Sequence, residues 1–164
     1  MALLLPLALV LLFGSVEMGY FFYTQHQVVK GVRDGARYAS RQNFAYFDCA
    51  NTALQSPAGM TTGPNVVTAI QNVTRTGRTS GGTDRVPGWS AVNTDNDNGT
   101  FLNVTVSCPP SGQEVTGGIY KGRTNAPQVN VTTVVNYPSL FGFASVLGGQ
   151  WRIRAEQQSA VMGI

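Results

Sequence analysis

MALLLPLALVLLFGSVEMGYFFYTQHQVVKGVRDGARYASR, residues 1–41, is the stretch whose reading decides the fold. No charge occurs from Met1 to Val16, and Leu3, Leu4, Leu5, Leu7, Leu9, Val10, Leu11, Leu12, Phe13 and Val16 make a nearly continuous apolar run. Glu17 interrupts it, and the apolar character resumes at Met18, Tyr20, Phe21, Phe22 and Tyr23. As one helix, Leu3 to Tyr23 spans roughly 30 Å at about 1.5 Å per residue, the thickness of a bilayer core. Past Tyr23 the pattern turns amphipathic. Val28, Val29 and Val32 fall on one side, and Lys30, Arg33, Arg37 and Arg41 recur every three or four positions on the other. The spacing predicts one unbroken helix from Leu3 to Tyr46, with Pro6 tolerated in its first turn. Its soft spots are expected at Gly14-Ser15 and between Gly31 and Gly35.

Three roles compete for such a segment: a cleaved signal peptide, a membrane anchor and a buried core helix. A signal peptide needs a basic n-region and a small-x-small cleavage site. No Lys or Arg precedes the apolar run, and Gly14-Ser15-Val16-Glu17 is a poor site. A core helix would need a greasier remainder to wrap it, so the anchor reading is preferred. Gly31 and Gly35 form Gly-x-x-x-Gly, a spacing that lets helices approach closely. Glycine costs a helix about 1 kcal/mol against alanine, so a packing reason is expected, against the head or against another helix.

Outward from the stalk, only 12% of residues are charged, and Gly, Asn and Thr are abundant. Low charge with retained Val, Ile, Leu and aromatics suits a β-rich surface-exposed domain rather than disorder. The formal charge of +3 comes largely from the stalk, and the head's basic residues are scattered, which argues against nucleic acid. Pro64 followed by Val66, Val67, Ile70 and Val73 fits a helix start over Asn65–Thr74, with a strand as the alternative. A further strand is expected near Trp89–Val92. Phe101–Ser107 alternates, with Leu102, Val104 and Val106 on one face, and Cys108 shares that parity. Gln128–Asn136 and Trp151–Val161 read as two more strands, with Leu140–Leu147 between them a short apolar turn or loop. The expected fold is α+β: a long N-terminal apolar helix packed at its second half against a small antiparallel sheet with one short helix. The expected division is a membrane or filament-core helix over 1–47 and a β-rich head over 48–164.

Catalytic and metal chemistry finds little to stand on. The single His26 lies on the stalk, the head has no histidine to serve as a base, and nucleophile and phosphate-loop motifs do not occur. No enzyme activity and no cofactor are expected. Two cysteines without a CxxC partner give too few ligands for zinc. Asn93–Gly99 resembles a calcium loop, but with Gly99 sixth the twelfth position is Thr105 rather than a Glu. Asn98-Gly99 before an alternating strand reads better as a turn. Asn-x-Thr sequons stand at Asn72, Asn98, Asn103 and Asn130, the number a chain rich in Asn and Thr supplies by chance.

The N-terminal stretch resembles the signature of TadE-like proteins, the pilins and pseudopilins of tight-adherence (Tad) pili. The matching parts are the Leu-rich run with Pro6, Phe13-Gly14-Ser15-Val16-Glu17-Met18-Gly19, the aromatic patch Tyr20–Tyr23, and Arg33-Asp34-Gly35-Ala36-Arg37-Tyr38-Ala39. The resemblance implies a structural subunit of a Tad or type IV-like filament, with N-terminal helices in the core and heads outside. It implies identical subunits, a prepilin peptidase and assembly machinery as partners. It places the chain in the bacterial inner membrane before assembly and at the cell surface after. A membrane-retained minor pseudopilin and a membrane-anchored adhesin domain are the alternatives. Family members carry a Gly cut site followed by a Glu, which are absent before Met1. The positive-inside rule applied to Lys30–Arg41 would put the head in the cytoplasm. A processed or late-started form lacking a basic leader is the expected resolution. An extracytoplasmic head further predicts a Cys49–Cys108 disulfide, closing a loop of about sixty residues worth roughly 4 kcal/mol. Finally, an isolated carboxylate in a dry helix costs several kcal/mol unless paired. In a filament, Glu17 is expected to find Lys30 or Arg33 of a neighbour shifted by roughly 20 Å, or its free amino group.

Overall fold

Leu4–Ser40 forms a single 37-residue helix, α1, in the computed structural model, which describes residues 4–48, 53–54, 65–89, 100–108, 117–122, 126–142 and 149–163. Neither Gly14-Ser15 nor the Gly31–Gly35 segment breaks it. The helix stops six residues short of the expected Tyr46, and its end is closed from outside. The Met162 N–H donates to the Ser40 carbonyl at 2.7 Å, while Arg41 and Gln42 make the tighter i→i−3 bonds of a last turn. Asn43 then caps a separate one-turn 3₁₀ helix at Phe44–Tyr46 by accepting from the Ala45 N–H.

Strand β1 (Phe47–Asp48) pairs with β2 (Ala53–Leu54) in a two-residue antiparallel ladder. Helix α2 covers Val66–Thr76, which resolves the helix-or-strand ambiguity in favour of the helix. Asn65 caps its start by accepting from the Val67 N–H, and Gly77 ends it in a left-handed conformation (φ 78°) that a side chain would disfavour. Trp89 is outside any strand and its indole is buried in the core, while residues 90–92 of the expected strand lie outside the described residues.

The main sheet has the order β3–β4–β5, all antiparallel, with β3 Phe101–Ser107, β4 Gln128–Asn136 and β5 Arg152–Ala160. Val104 pairs with Val131 and Val135 with Ile153. The inward residues Leu102, Val104, Val106, Val129, Val131, Ile153 and Ala155 are buried, as the alternation predicted, and Val134 and Val135 are both buried as well. Helix α1 lies over β4 and β5, and α2 packs between α1 and β3. The fold is α+β as expected, and one hydrophobic cluster joins Val28, Val32, Ala36 and Ala39 of α1 to Ile70, Trp89 and the sheet.

Gly31 and Gly35 face α2 and the Trp89 loop within the same chain. A Cβ at Gly31 would lie 2.7 Å from the Trp89 ring and against the Thr74 carbonyl, and one at Gly35 would fall on the Thr74 hydroxyl. The close packing they permit is therefore intramolecular. Trp89 donates its indole N–H to Thr133 Oγ1 at 2.9 Å, and that hydroxyl donates to the Phe101 carbonyl at 2.7 Å. A chain of contacts thus runs from α1 through Trp89 to the edge of β3.

Candidate membrane-proximal site

Among the described residues, the first buried position of α1 is Glu17, with Phe13 touching the head through Phe141. Before Glu17 the side chains from Leu4 to Val16 are exposed, apart from the half-buried Gly14, although they are apolar. The helix is long and apolar enough to cross a membrane by length and composition. Beyond Glu17 the buried positions Thr24, Val28, Gly31, Val32, Gly35, Ala36 and Ala39 follow a helical stripe. One side chain stands at the boundary between these two regimes.

That side chain is Glu17, only 3% exposed. Strand β4 runs down towards it, and the β4–β5 connection begins beside it. One carboxylate oxygen, Oε1, accepts from the Ser139 hydroxyl at 2.7 Å and from the Leu140 N–H at 3.2 Å. The other, Oε2, accepts from the Phe141 N–H at 3.1 Å. The Tyr137 hydroxyl donates to the Glu17 backbone carbonyl at 3.1 Å. Burial pushes the Tyr137 phenol above its ordinary pKa, and the neighbouring Glu17 carboxylate adds to the rise, so Tyr137 remains a donor at neutral pH. Aromatic rings close the site: Tyr20 and Phe21 lie 5.9 and 5.2 Å from Tyr137, Trp151 lies 6.0 Å from Phe21, and Phe141 lies 5.0 Å from Phe13.

Within its own chain Glu17 is held without a cation. The sequence argument asked for partners for a buried carboxylate and looked to a cation in a neighbouring subunit. The chain supplies three neutral donors from its own head, and a carboxylate taking several such bonds is stabilised as a charge. Lys30 and Arg33 are exposed, beside His26, Val29, Asp34 and Arg37 on an open face of α1. Ion pairs among the described residues join Arg75 to Asp84 and Arg85 to Asp34, both at 2.8 Å, and involve neither Lys30 nor Arg33. Ser139, Leu140 and Phe141 were missed because nothing in a Pro-Ser-Leu-Phe run names a carboxylate ligand. The available signal was an uncharged connection between two strands, facing a chain position that had to have donors.

Cys49 lies outside the described residues, as does Asn93–Gly99. Cys108 follows β3, half-buried against the core. Of the sequons, Asn72 donates to the Thr79 carbonyl, Asn130 donates to Glu156, and Asn103 is half-buried on β3.

Comparison with known proteins singles out the stretch that carries this site. Residues 1–37 match the family model of TadE-like protein. The match covers the exposed apolar segment, Glu17, both stalk glycines and Arg37, and it ends within the last turn of α1. Searches of curated proteins and of solved structures found no match. A span-capable helix together with the TadE-like match fits membrane anchoring and an association with Tad pili.

Proposed function

We propose that this chain is a pilin-like structural subunit of a Tad or type IV-like pilus, without enzymatic activity. The observation that carries the reading is the bare apolar half of α1, continuous with a helix that builds the head's core, within the stretch that matches TadE-like protein. Leu4, Leu5, Leu7, Leu9, Val10, Leu11 and Leu12 are each 44% or more exposed, so they need a solvent other than water. The cytoplasmic membrane supplies it before assembly. Identical subunits supply it afterwards by bundling their apolar segments in a filament core, at about 25 cal/mol per Å² buried. A prepilin peptidase and pilus assembly machinery are the partners this life history needs, and the head ends on the cell surface.

Shearing cells and probing the released filaments for this chain tests the proposal. Recovery as the bulk component of sheared filaments is the expected result. Retention in the membrane fraction, with filaments formed by another protein, would replace it with the role of a minor, membrane-bound pseudopilin.

A further inference from the structure

The position of the head on α1 does not fit a simple anchor with its head held clear of the bilayer, because Phe141 of the head packs against Phe13 inside the bare apolar segment. The apolar run continues past Glu17 to Tyr23, and the head already clasps α1 at Glu17. Either the segment between Glu17 and Tyr23 stays out of the membrane, or the part of the head that clasps it goes in.

The clasp has the chemistry of an immersed element. Leu140 and Phe141 are 53% and 47% exposed, and Met18, Phe22 and Tyr23 at the same level of α1 are all above 50%. Phe141 stacks towards Phe13, so its apolar surface is continuous with the bare segment. From Met1 to Gln25 Glu17 is the one charged residue, and from Tyr137 to Trp151 there is none. In lipid an irregular backbone is tolerated only where its polar groups are satisfied by protein. Here the Glu17 carboxylate takes the N–H groups of Leu140 and Phe141, together with the Ser139 hydroxyl. Tyr20, Tyr23 and Trp151, packed around the buried Tyr137, are residue types favoured at a membrane interface, and the exposed Arg152 follows immediately.

We propose that residues 139–141, which follow β4 and carry the exposed Leu140 and Phe141, are a second membrane element that inserts beside α1 into the leaflet facing the head. Its occupant is lipid acyl chain, and Glu17 is the polar pin that lets an irregular backbone enter. The inference rests on the membrane-anchored part of the proposed function and not on the filament.

The test places a benzophenone amino acid at Phe141, at Leu12 in the bare segment, and at Gln158 on the far part of β5, each in the full chain. The variants are reconstituted in phosphatidylcholine–phosphatidylglycerol vesicles with alkyne-tagged acyl chains and irradiated. Lipid adducts at positions 12 and 141, with none at 158, are expected. Adducts at 12 alone would overturn insertion of the head while leaving the anchor intact. Chain-to-chain adducts replacing lipid at 141 would overturn it in favour of a second copy. No adduct at 12 would remove the membrane reading and this inference together. In the unmodified chain in nanodiscs, a nitroxide high on the acyl chain should broaden the Leu140 and Phe141 amide signals and spare Gln157 and Gln158. Absence of that difference overturns the proposal without relying on any substitution.

Discussion

Replacing Glu17 with Gln isolates the role of its second carboxylate oxygen. The amide keeps one carbonyl oxygen, and its NH2 cannot accept a hydrogen bond. In the wild type one oxygen serves Ser139 and Leu140 while the other serves Phe141, so either orientation of the amide abandons one set. A hydrogen bond to a charged group contributes about 1.5–3 kcal/mol, and 1.4 kcal/mol is a factor of ten. Amide hydrogen exchange in micelles or nanodiscs should therefore accelerate about ten- to a hundredfold at Phe141 or at Leu140, according to how the amide settles. Amides in the middle of β4, such as Val131, should be unchanged, because their partners lie in the sheet. Glu17→Ala should release both amides together. Unprotected Leu140 and Phe141 in the wild type, or exchange indifferent to both substitutions, would refute the clasp.

Gly35→Ala should destabilise the head by about 1–2 kcal/mol, since the new Cβ meets the buried Thr74 hydroxyl and overpacking outweighs the gain in helix propensity. Gly14→Ala and Gly19→Ala, which meet nothing within 4 Å, should be neutral or slightly stabilising in the same denaturant titration. Trp89→Phe should cost about 1–3 kcal/mol through the lost bond to Thr133 and the space left beside Gly31, read as a lower denaturation midpoint at unchanged slope. If Cys49 and Cys108 are paired, neither thiol should alkylate in the unfolded, unreduced chain. Alkylation of both without reductant would dismiss the disulfide.

The parts of this fold that were legible in the sequence are those with a strong period. The apolar run, the Val28–Val32 stripe, the alternation over Phe101–Ser107 and the capped run after Pro64 each encode their own local geometry, and each forms the element it predicts. The end of α1 was not legible, because Met162, more than a hundred residues on, caps it. The direction of the two stalk glycines was equally silent. Gly-x-x-x-Gly states that something comes close, and only the tertiary structure identifies Thr74 and Trp89 as what does.

Glu17 carries the same lesson one step further into function. Sequence physics required a buried carboxylate to have partners, and that requirement holds at three hydrogen bonds. What it could not fix was whether those partners lay in another subunit or in the same one. The answer changes what the residue can do. A carboxylate waiting for a neighbour's cation would set the register between subunits. A carboxylate held by Ser139, Leu140 and Phe141 sets how the head sits on its own helix, and hence how much of α1 is left bare. The face that carries Lys30, Arg33 and Arg37 and the bare leucines are exposed, and they are the surfaces this chain leaves open to other partners.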